Sequence, residues 1–191
     1  LVVTPYYNRP PQRGLLAHFR AVADATDLPV CLYDIPGRCG IPIETDTLIA
    51  LAEHPRIVAV KDAKADLFAA TKVMAATDLA WYSGDDVLVL PHIAQGAVGL
   101  IGVTTHLAGQ KYAALIDAAL AGRRQEAIAL NRELIALADA VMNTSQGAIM
   151  AKAGLVELGV IEHATVRLPL VESTPEHLEK LRAGLAASGL A

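Results

Sequence analysis

Five short apolar runs, each followed by a helical pattern, constrain what this chain of 191 residues can fold into more than any other feature. Residues 1–4, 29–33, 57–61, 79–83 and 97–103 are rich in Val, Ile, Leu and Ala and are bounded by turn residues, the pattern of buried parallel strands. Between them, Leu15, Leu16, Phe19, Val22 and Ala23 fall at the spacing of one helix face. Leu48, Ile49, Leu51 and Ala52 do the same, followed by Leu67, Phe68, Thr71, Val73 and Met74. The strand starts recur roughly every 20 to 28 residues, the length of a β-α unit with a short helix and two tight loops. Such units, wound in one hand, give an open doubly wound sheet or a closed barrel.

From about residue 106 onward strand-like runs nearly vanish. Stretches at 106–121, 123–142, 145–158 and 174–187 predict helices. Asn143, Ser145 and Thr174 are the expected N-caps, Pro175 suits a first turn, and Gly159 and Gly189 suit C-terminal stops. The expected organisation is a partial (β/α) barrel over residues 1–122 and a helical region over 123–191, with no Pro-, Gly- or Ser-rich linker between them.

Composition narrows the partners. Hydrophobic residues at 53% against charged residues at 19% exclude intrinsic disorder, and aromatics at 4% leave a core of Ala, Val, Leu and Ile. Sixteen basic and twenty acidic residues give a net charge of −4, so nothing favours a nucleic-acid backbone or an anionic membrane as partner. Two cysteines cannot form a disulfide framework, and Cys31, inside an apolar run, reads as a small core hydrophobe. No apolar run reaches the ~18 residues needed to span a bilayer. A soluble cytoplasmic protein is expected, in which Asn143-Thr144-Ser145 matches the glycosylation pattern by chance.

The reactive residues collect where the strands end. Tyr6 and Tyr7 follow the first run, Tyr33 closes the second, Lys61 the third and Ser83-Gly84-Asp85 the fourth, the end at which an α/β barrel gathers its catalytic groups. A lysine leaving a desolvated strand has a lowered pKa and a neutral amine able to attack a carbonyl. The plainer alternative for Lys61 is a surface lysine paired with Asp62 or sharing solvent with Lys64. Tyr33 is a packing residue or a phenol at the mouth, beside a rigid loop, Asp34-Ile35-Pro36-Gly37-Arg38-Cys39-Gly40, that holds a guanidinium in a way suited to a carboxylate. Asp85 and Asp86 are explained by helix capping as well as by chemistry.

Other chemistries find no support. Gly96, Gly99 and Gly102 lack the dinucleotide-binding spacing and read as small residues for tight packing. His18, His54, His92, His106, His163 and His177 are dispersed without metal-ligand spacing, and Ser83 and Ser145 lack the nucleophile elbow.

Taken together, Tyr33-Asp34-Ile35-Pro36-Gly37-Arg38, then Val60-Lys61-Asp62-Ala63, and Thr4-Pro5-Tyr6-Tyr7-Asn8-Arg9-Pro10 resemble the dihydrodipicolinate synthase family, over nearly the whole chain. Val60-Lys61-Asp62-Ala63-Lys64-Ala65-Asp66-Leu67 is similar to its actinobacterial members. The resemblance implies a (β/α)8 TIM barrel represented from about the fourth strand onward, with an appended C-terminal helical layer. It implies a class I aldolase-type lyase in which Lys61 forms an imine with pyruvate, and the derived enamine attacks L-aspartate 4-semialdehyde to give 4-hydroxy-tetrahydrodipicolinate for lysine and diaminopimelate synthesis. By the same resemblance Tyr33 is the proton donor and acceptor, and Tyr7 a relay reaching in from a neighbouring subunit. Tyr6 is an interface aromatic of a homodimer or homotetramer, and Arg38 receives the semialdehyde carboxylate. Gly84 and Ile101 are backbone positions lining the pyruvate pocket. No cofactor and no metal are implied.

The alternatives are another pyruvate-dependent 2-keto acid aldolase, such as N-acetylneuraminate lyase, which generally lacks the Arg at 38, or a noncatalytic half-barrel. Asp62 stands where many members have Glu, and Cys39 where Ser or Thr is common. The family's Thr-Thr motif and most of its lysine feedback site, Tyr6 apart, have no counterpart here. A complete barrel takes about 250 residues. The expectation is therefore the C-terminal portion of a synthase, with unpaired strand edges and poor stability in isolation.

Overall fold

The computed structural model describes residues 1–190 and divides the chain into two compact units, Leu1–Ile101 and Gly102–Ala191. In the first unit the five expected strands form one parallel sheet in sequence order: β1 (Val2–Val3), β2 (Val30–Asp34), β3 (Ile57–Asp62), β4 (Ala80–Ser83) and β5 (Gly99–Leu100). The connections carry α1 (Gln12–Asp24), α2 (Pro36–Cys39), α3 (Thr45–Ala52), α4 (Leu67–Ala76) and α5 (Val89–Ala94). This is a partial (β/α)8 barrel. The outer strands are shorter than their apolar runs because β1 pairs only with β2, and β5 only with β4.

Side chains alternate across the sheet and give it two distinct faces. Leu32, Val60 and Trp81 are buried on one, packed with Leu15 and Phe19 of α1, Leu48 and Leu51 of α3, and Ala70 and Val73 of α4. Leu15, Phe19 and Ala23 have no exposed surface, as their four-residue spacing requires. On α4 the expected face holds at Val73, which is buried with Ala70, and is corrected at Thr71 and Phe68, which are exposed, Phe68 at 71% with the Lys72 ammonium 4.3 Å over its ring. Each helix-facing side chain must fit between strands and helices, so a one-position rotation of the apolar stripe is decided by packing rather than by hydrophobicity.

A register irregularity between Val30 and Cys31 leaves Val58 without a cross-strand partner and brings Tyr33 opposite Lys61. Beyond it Tyr33, Lys61 and Tyr82 stand side by side in register, and the next residues, Asp34, Asp62 and Ser83, form a second row on the opposite face. β1 is tied to this end by Thr4, whose backbone N–H and hydroxyl both donate to the Tyr33 carbonyl, at 3.0 and 2.9 Å.

The second unit is helical: α6 (Thr105–Leu120), α7 (Arg124–Met142), α8 (Gly147–Glu157) and α9 (Pro175–Ala187). Thr174 caps α9 in a reciprocal capping box with His177, and Pro175 occupies its first turn. Gly159 and Gly189 follow the ends of α8 and α9 at φ of +69° and +65°, the left-handed stop their positions predicted. Two expected caps are corrected. Asn143 ends α7, and Gln146 rather than Ser145 caps α8, because its backbone is extended and its side-chain oxygen receives the Ala148 and Ile149 N–H groups. Lys111 of α6 bonds to the Glu133 carboxylate of α7 and the Ser188 carbonyl after α9, fastening three helices at one point.

Candidate active site

Lys61 and Tyr33 are brought together. The Lys61 ammonium lies 4.0 Å from the centre of the Tyr33 ring, a cation–π contact made possible by their register on adjacent strands. Asp62 is not its partner: that carboxyl points to the other face and is 1% exposed, while the Lys64 ammonium pairs with Asp34 at 3.1 Å. The surface ion-pair reading of Lys61 therefore fails. Burial pushes the Lys61 amine below its ordinary range and the Arg38 guanidinium adds to this, against the Asp86 carboxylate and Cys31. Burial pushes the Tyr33 phenol up, with Arg38 opposing. At neutral pH the site thus pairs an amine eased toward its nucleophilic form with a phenol that keeps its proton.

Arg38 sits in α2, a single turn started by Pro36 and closed by Gly40 at φ +83°. Its side chain is exposed, and it acts electrostatically on both Tyr33 and Lys61. Gly40 also provides a floor for Arg9, whose Nε would lie 2.6 Å from a β-carbon there. Cys39 is buried and its thiol donates to the Thr4 carbonyl at 3.1 Å, joining this turn to β1.

Gly84 follows β4 and donates its N–H to the Asp62 carbonyl at 2.6 Å; Ile101 follows β5 and donates to the Ser83 carbonyl at 2.9 Å. Both amides are thus used within the sheet, and what these positions can offer a ligand is their carbonyl oxygens. Tyr6 and Tyr7 are not drawn in: they are 68% and 94% exposed in a loop where Tyr7 and Arg9 take positive φ of 69° and 44°. The structure decides the open question at Asp85 and Asp86. Neither caps α5, whose N-cap is Leu88 without a side-chain bond; Asp85 closes a local turn onto the Val87 N–H, and Asp86 is buried.

Cys31 is partly exposed on the Lys61 side rather than a core hydrophobe, since strand alternation puts it on the face without helices. The sequence reading missed the buried polar row beneath the site: Asp34, Asp62 and Ser83, with His92 of α5. For Asp34, Asp62 and Ser83 the signal was available, because each follows by one position a residue of the Tyr33, Lys61 and Tyr82 row; His92 had none. Among the described residues no group of three or more His, Cys, Asp or Glu side chains could hold a metal ion, and no helix is long and apolar enough to cross a membrane.

The family described as "Dihydrodipicolinate synthetase family" matches residues 1–188. A 4-hydroxy-tetrahydrodipicolinate synthase of Kineococcus radiotolerans is 52% identical over 191 residues, covering 100% of this chain and 62% of that protein. One of Acidothermus cellulolyticus is 56% identical over 189 residues, covering 99% and 61%. Among solved structures, DHDPS from Cyanidioschyzon merolae with lysine bound is 41% identical with a TM-score of 0.94, covering 99% of this chain and 64% of that one. Dihydrodipicolinate synthase from Acinetobacter baumannii complexed with pyruvate is 37% identical with a TM-score of 0.93, covering 99% and 65%. The chain spans about 62% of the length of the first of these curated relatives. It belongs to the dihydrodipicolinate synthetase family.

Proposed function

We propose that this chain carries the Schiff-base centre of a 4-hydroxy-tetrahydrodipicolinate synthase serving lysine and diaminopimelate biosynthesis in the cytoplasm. The observation that carries the reading is the half-buried Lys61 amine held 4.0 Å over the Tyr33 ring with Arg38 near both. The neutral amine adds to the pyruvate ketone, and the resulting carbinolamine loses water to give an imine on Lys61. The imine withdraws electrons, so the Tyr33 phenolate, having given its proton to the departing hydroxyl, takes a proton from the methyl group and an enamine forms. Its terminal carbon attacks the aldehyde of L-aspartate 4-semialdehyde, and the new alkoxide takes a proton delivered through Tyr33. The amino group of the condensed substrate then displaces Lys61 from the imine, closing the ring and freeing the enzyme. The lysine itself is the electron sink, which leaves no step for a cofactor.

Arg38 is assigned to the semialdehyde carboxylate, and the carbonyls of Gly84 and Ile101 to the pyruvate pocket. The exposure of Tyr6 and Tyr7 supports a place for them at a subunit interface of a homodimer or homotetramer, with Tyr7 serving the neighbouring site. The test is turnover by a chimera in which the portion of the Kineococcus radiotolerans relative not spanned by this chain is supplied to it. Consumption of pyruvate that depends on the semialdehyde, and is lost in Lys61→Ala, is the expected result; turnover of N-acetylneuraminate in its place would overturn the assignment.

A further inference from the structure

On the face behind Lys61, the Asp62 and Ser83 side chains are 1% and 0% exposed, and His92 of α5 is fully buried against them. Donor and acceptor roles follow atom by atom. Ser83 Oγ spends its one hydrogen on the Asp85 carbonyl at 2.8 Å and accepts the Asp85 N–H at 3.3 Å. Its 2.9 Å contact with His92 Nδ1 therefore requires the hydrogen on Nδ1. The other ring nitrogen, Nε2, faces Asp62 Oδ2 at 3.6 Å, and neither atom has a hydrogen-bond partner among the described residues. The Trp81 indole N–H, a neutral donor close to the Asp62 carboxyl, falls short of a bond. A lone-pair nitrogen facing a carboxylate oxygen away from water is unfavourable unless a proton lies between them.

We propose that Asp62 and His92 share a single proton and that His92 is thereby a positioning residue, tying the ends of β3 and β4, and with them Lys61 and Gly84, into one fixed frame. The catalytic part of this rests on the reading of Lys61 as the nucleophile; the proton rests on the geometry alone. His92 grips β4 through Ser83 and β3 through Asp62, while the Asp62 carbonyl holds the Gly84 N–H. With one proton the pair has no net charge in either form, which suits its burial. Burial pushes the Asp62 carboxyl up and the His92 imidazole down, against the pull of each on the other and of the Lys64 N–H bonded to Asp62 at 2.8 Å.

The charged and titratable groups facing the pair are Asp34 from β2, Lys64 after β3 and Asp85 after β4. Above the ordinary histidine pKa of about 6.5 the unfolded pair holds no proton and the folded pair holds one, so folding takes up a proton and stability falls as pH rises. Between the ordinary carboxylate and histidine ranges both states hold one, and the pair contributes no slope.

Urea unfolding of the 191-residue chain and of the chimera, each compared with its Asp62→Asn variant from pH 5 to 8.5, reads this proton while leaving Asp34, Lys64 and Asp85 in place. The folding constant relative to the variant should fall above pH ~6.5, by up to about tenfold per pH unit. ¹⁵N spectra of the unsubstituted protein should show His92 carrying its hydrogen on Nδ1. A flat difference, or a neutral ring with hydrogen on Nε2, overturns the shared proton. In the chimera, His92→Phe should slow pyruvate adduct formation on Lys61 on the order of tenfold, and His92→Gln, which can still donate to Ser83, should recover part of it. An unslowed His92→Phe overturns the positioning role. Absence of any adduct in the unsubstituted chimera overturns the reading of Lys61 and the catalytic half of the proposal with it, while the stability slope still decides the proton.

Discussion

Gly84→Ala tests whether the strand-end frame is as tight as its contacts indicate. An added methyl group would sit 3.0 Å from Ala63 Cβ and 3.0 Å from both the carbonyl carbon and oxygen of Asp62. Carbon contacts are comfortable at about 3.5–4.0 Å, so roughly 0.5–1 Å must be found. Two of the three atoms are backbone of β3, which is paired on both sides by β2 and β4, and no side-chain rotation relieves them. The relief left is to move the end of β4, stretching the 2.6 Å bond from Gly84 N–H to the Asp62 carbonyl. Overpacking costs ~1–3 kcal/mol and a weakened hydrogen bond about 1 kcal/mol, so a loss of about 2–3 kcal/mol is expected, or roughly 5–10 °C in Tm for a chain of this size. Gly37→Ala is the control: a β-carbon there meets nothing within 4 Å, and the position lies in the helical turn α2. That change is expected to be neutral or to stabilise by up to ~1 kcal/mol. Urea midpoints for the two variants, with the slope checked for constancy, measure the difference. Equal stability of Gly84→Ala and Gly37→Ala would refute the packing argument.

Tyr33→Phe keeps the ring beneath Lys61 and removes only the hydroxyl, so turnover by the chimera should fall by roughly 10²–10⁴ while the melting curve moves little; steady-state rates and calorimetry check both halves. Lys64→Met strands the Asp34 carboxyl, 1% exposed, with the Ile43 N–H as its remaining hydrogen bond, and should cost ~3–5 kcal/mol at pH 7. Burial already raises the Asp34 pKa, so its protonated form favours the fold: the deficit should shrink toward pH 4 and grow as pH rises, as read from urea midpoints at both ends. In the helical unit, Gly109→Ala on α6 meets nothing and should stabilise by ~0.8–1 kcal/mol, whereas Gly184→Ala on α9 puts a methyl 2.7 Å from Ala140 Cβ and 3.0 Å from the Ala136 carbonyl and should destabilise by ~1–3 kcal/mol in the same unfolding assay.

What was legible in the sequence divides along physical lines. The five strands and the long helices could be read because apolar runs bounded by turn residues, 3.6 patterns and stop signals such as Gly159 and Gly189 are local properties of the chain. The Tyr33–Lys61 pairing could be anticipated because both close their strands. Their 4.0 Å contact depends further on the irregularity at Val30 and Cys31, which shifts one register by a residue and has no signature in composition. Phe68 was misassigned because its spacing fits two adjacent stripes of α4, and packing against the sheet set Ala70 beside the expected Val73. His92 looked like one dispersed histidine among six, since nothing local connects it to Ser83 and Asp62; only the crossover from β4 to α5 brings them together. The exposure of Tyr6 and Tyr7 was not legible, because aromatic residues in a turn carry no local signal of how far they are covered.

The central claim is that Lys61 is the nucleophile because strand-end burial lowers its pKa over Tyr33. Borohydride reduction of the chimera with pyruvate, followed by peptide mass mapping across a pH series, tests this most directly. A reduced pyruvate adduct on Lys61, absent in Lys61→Ala and appearing at a lower pH than an ordinary lysine with a pKa of about 10.4 would allow, is the predicted result. An adduct on Lys64 or another lysine, or one on Lys61 that appears only near the ordinary lysine pKa, would contradict it.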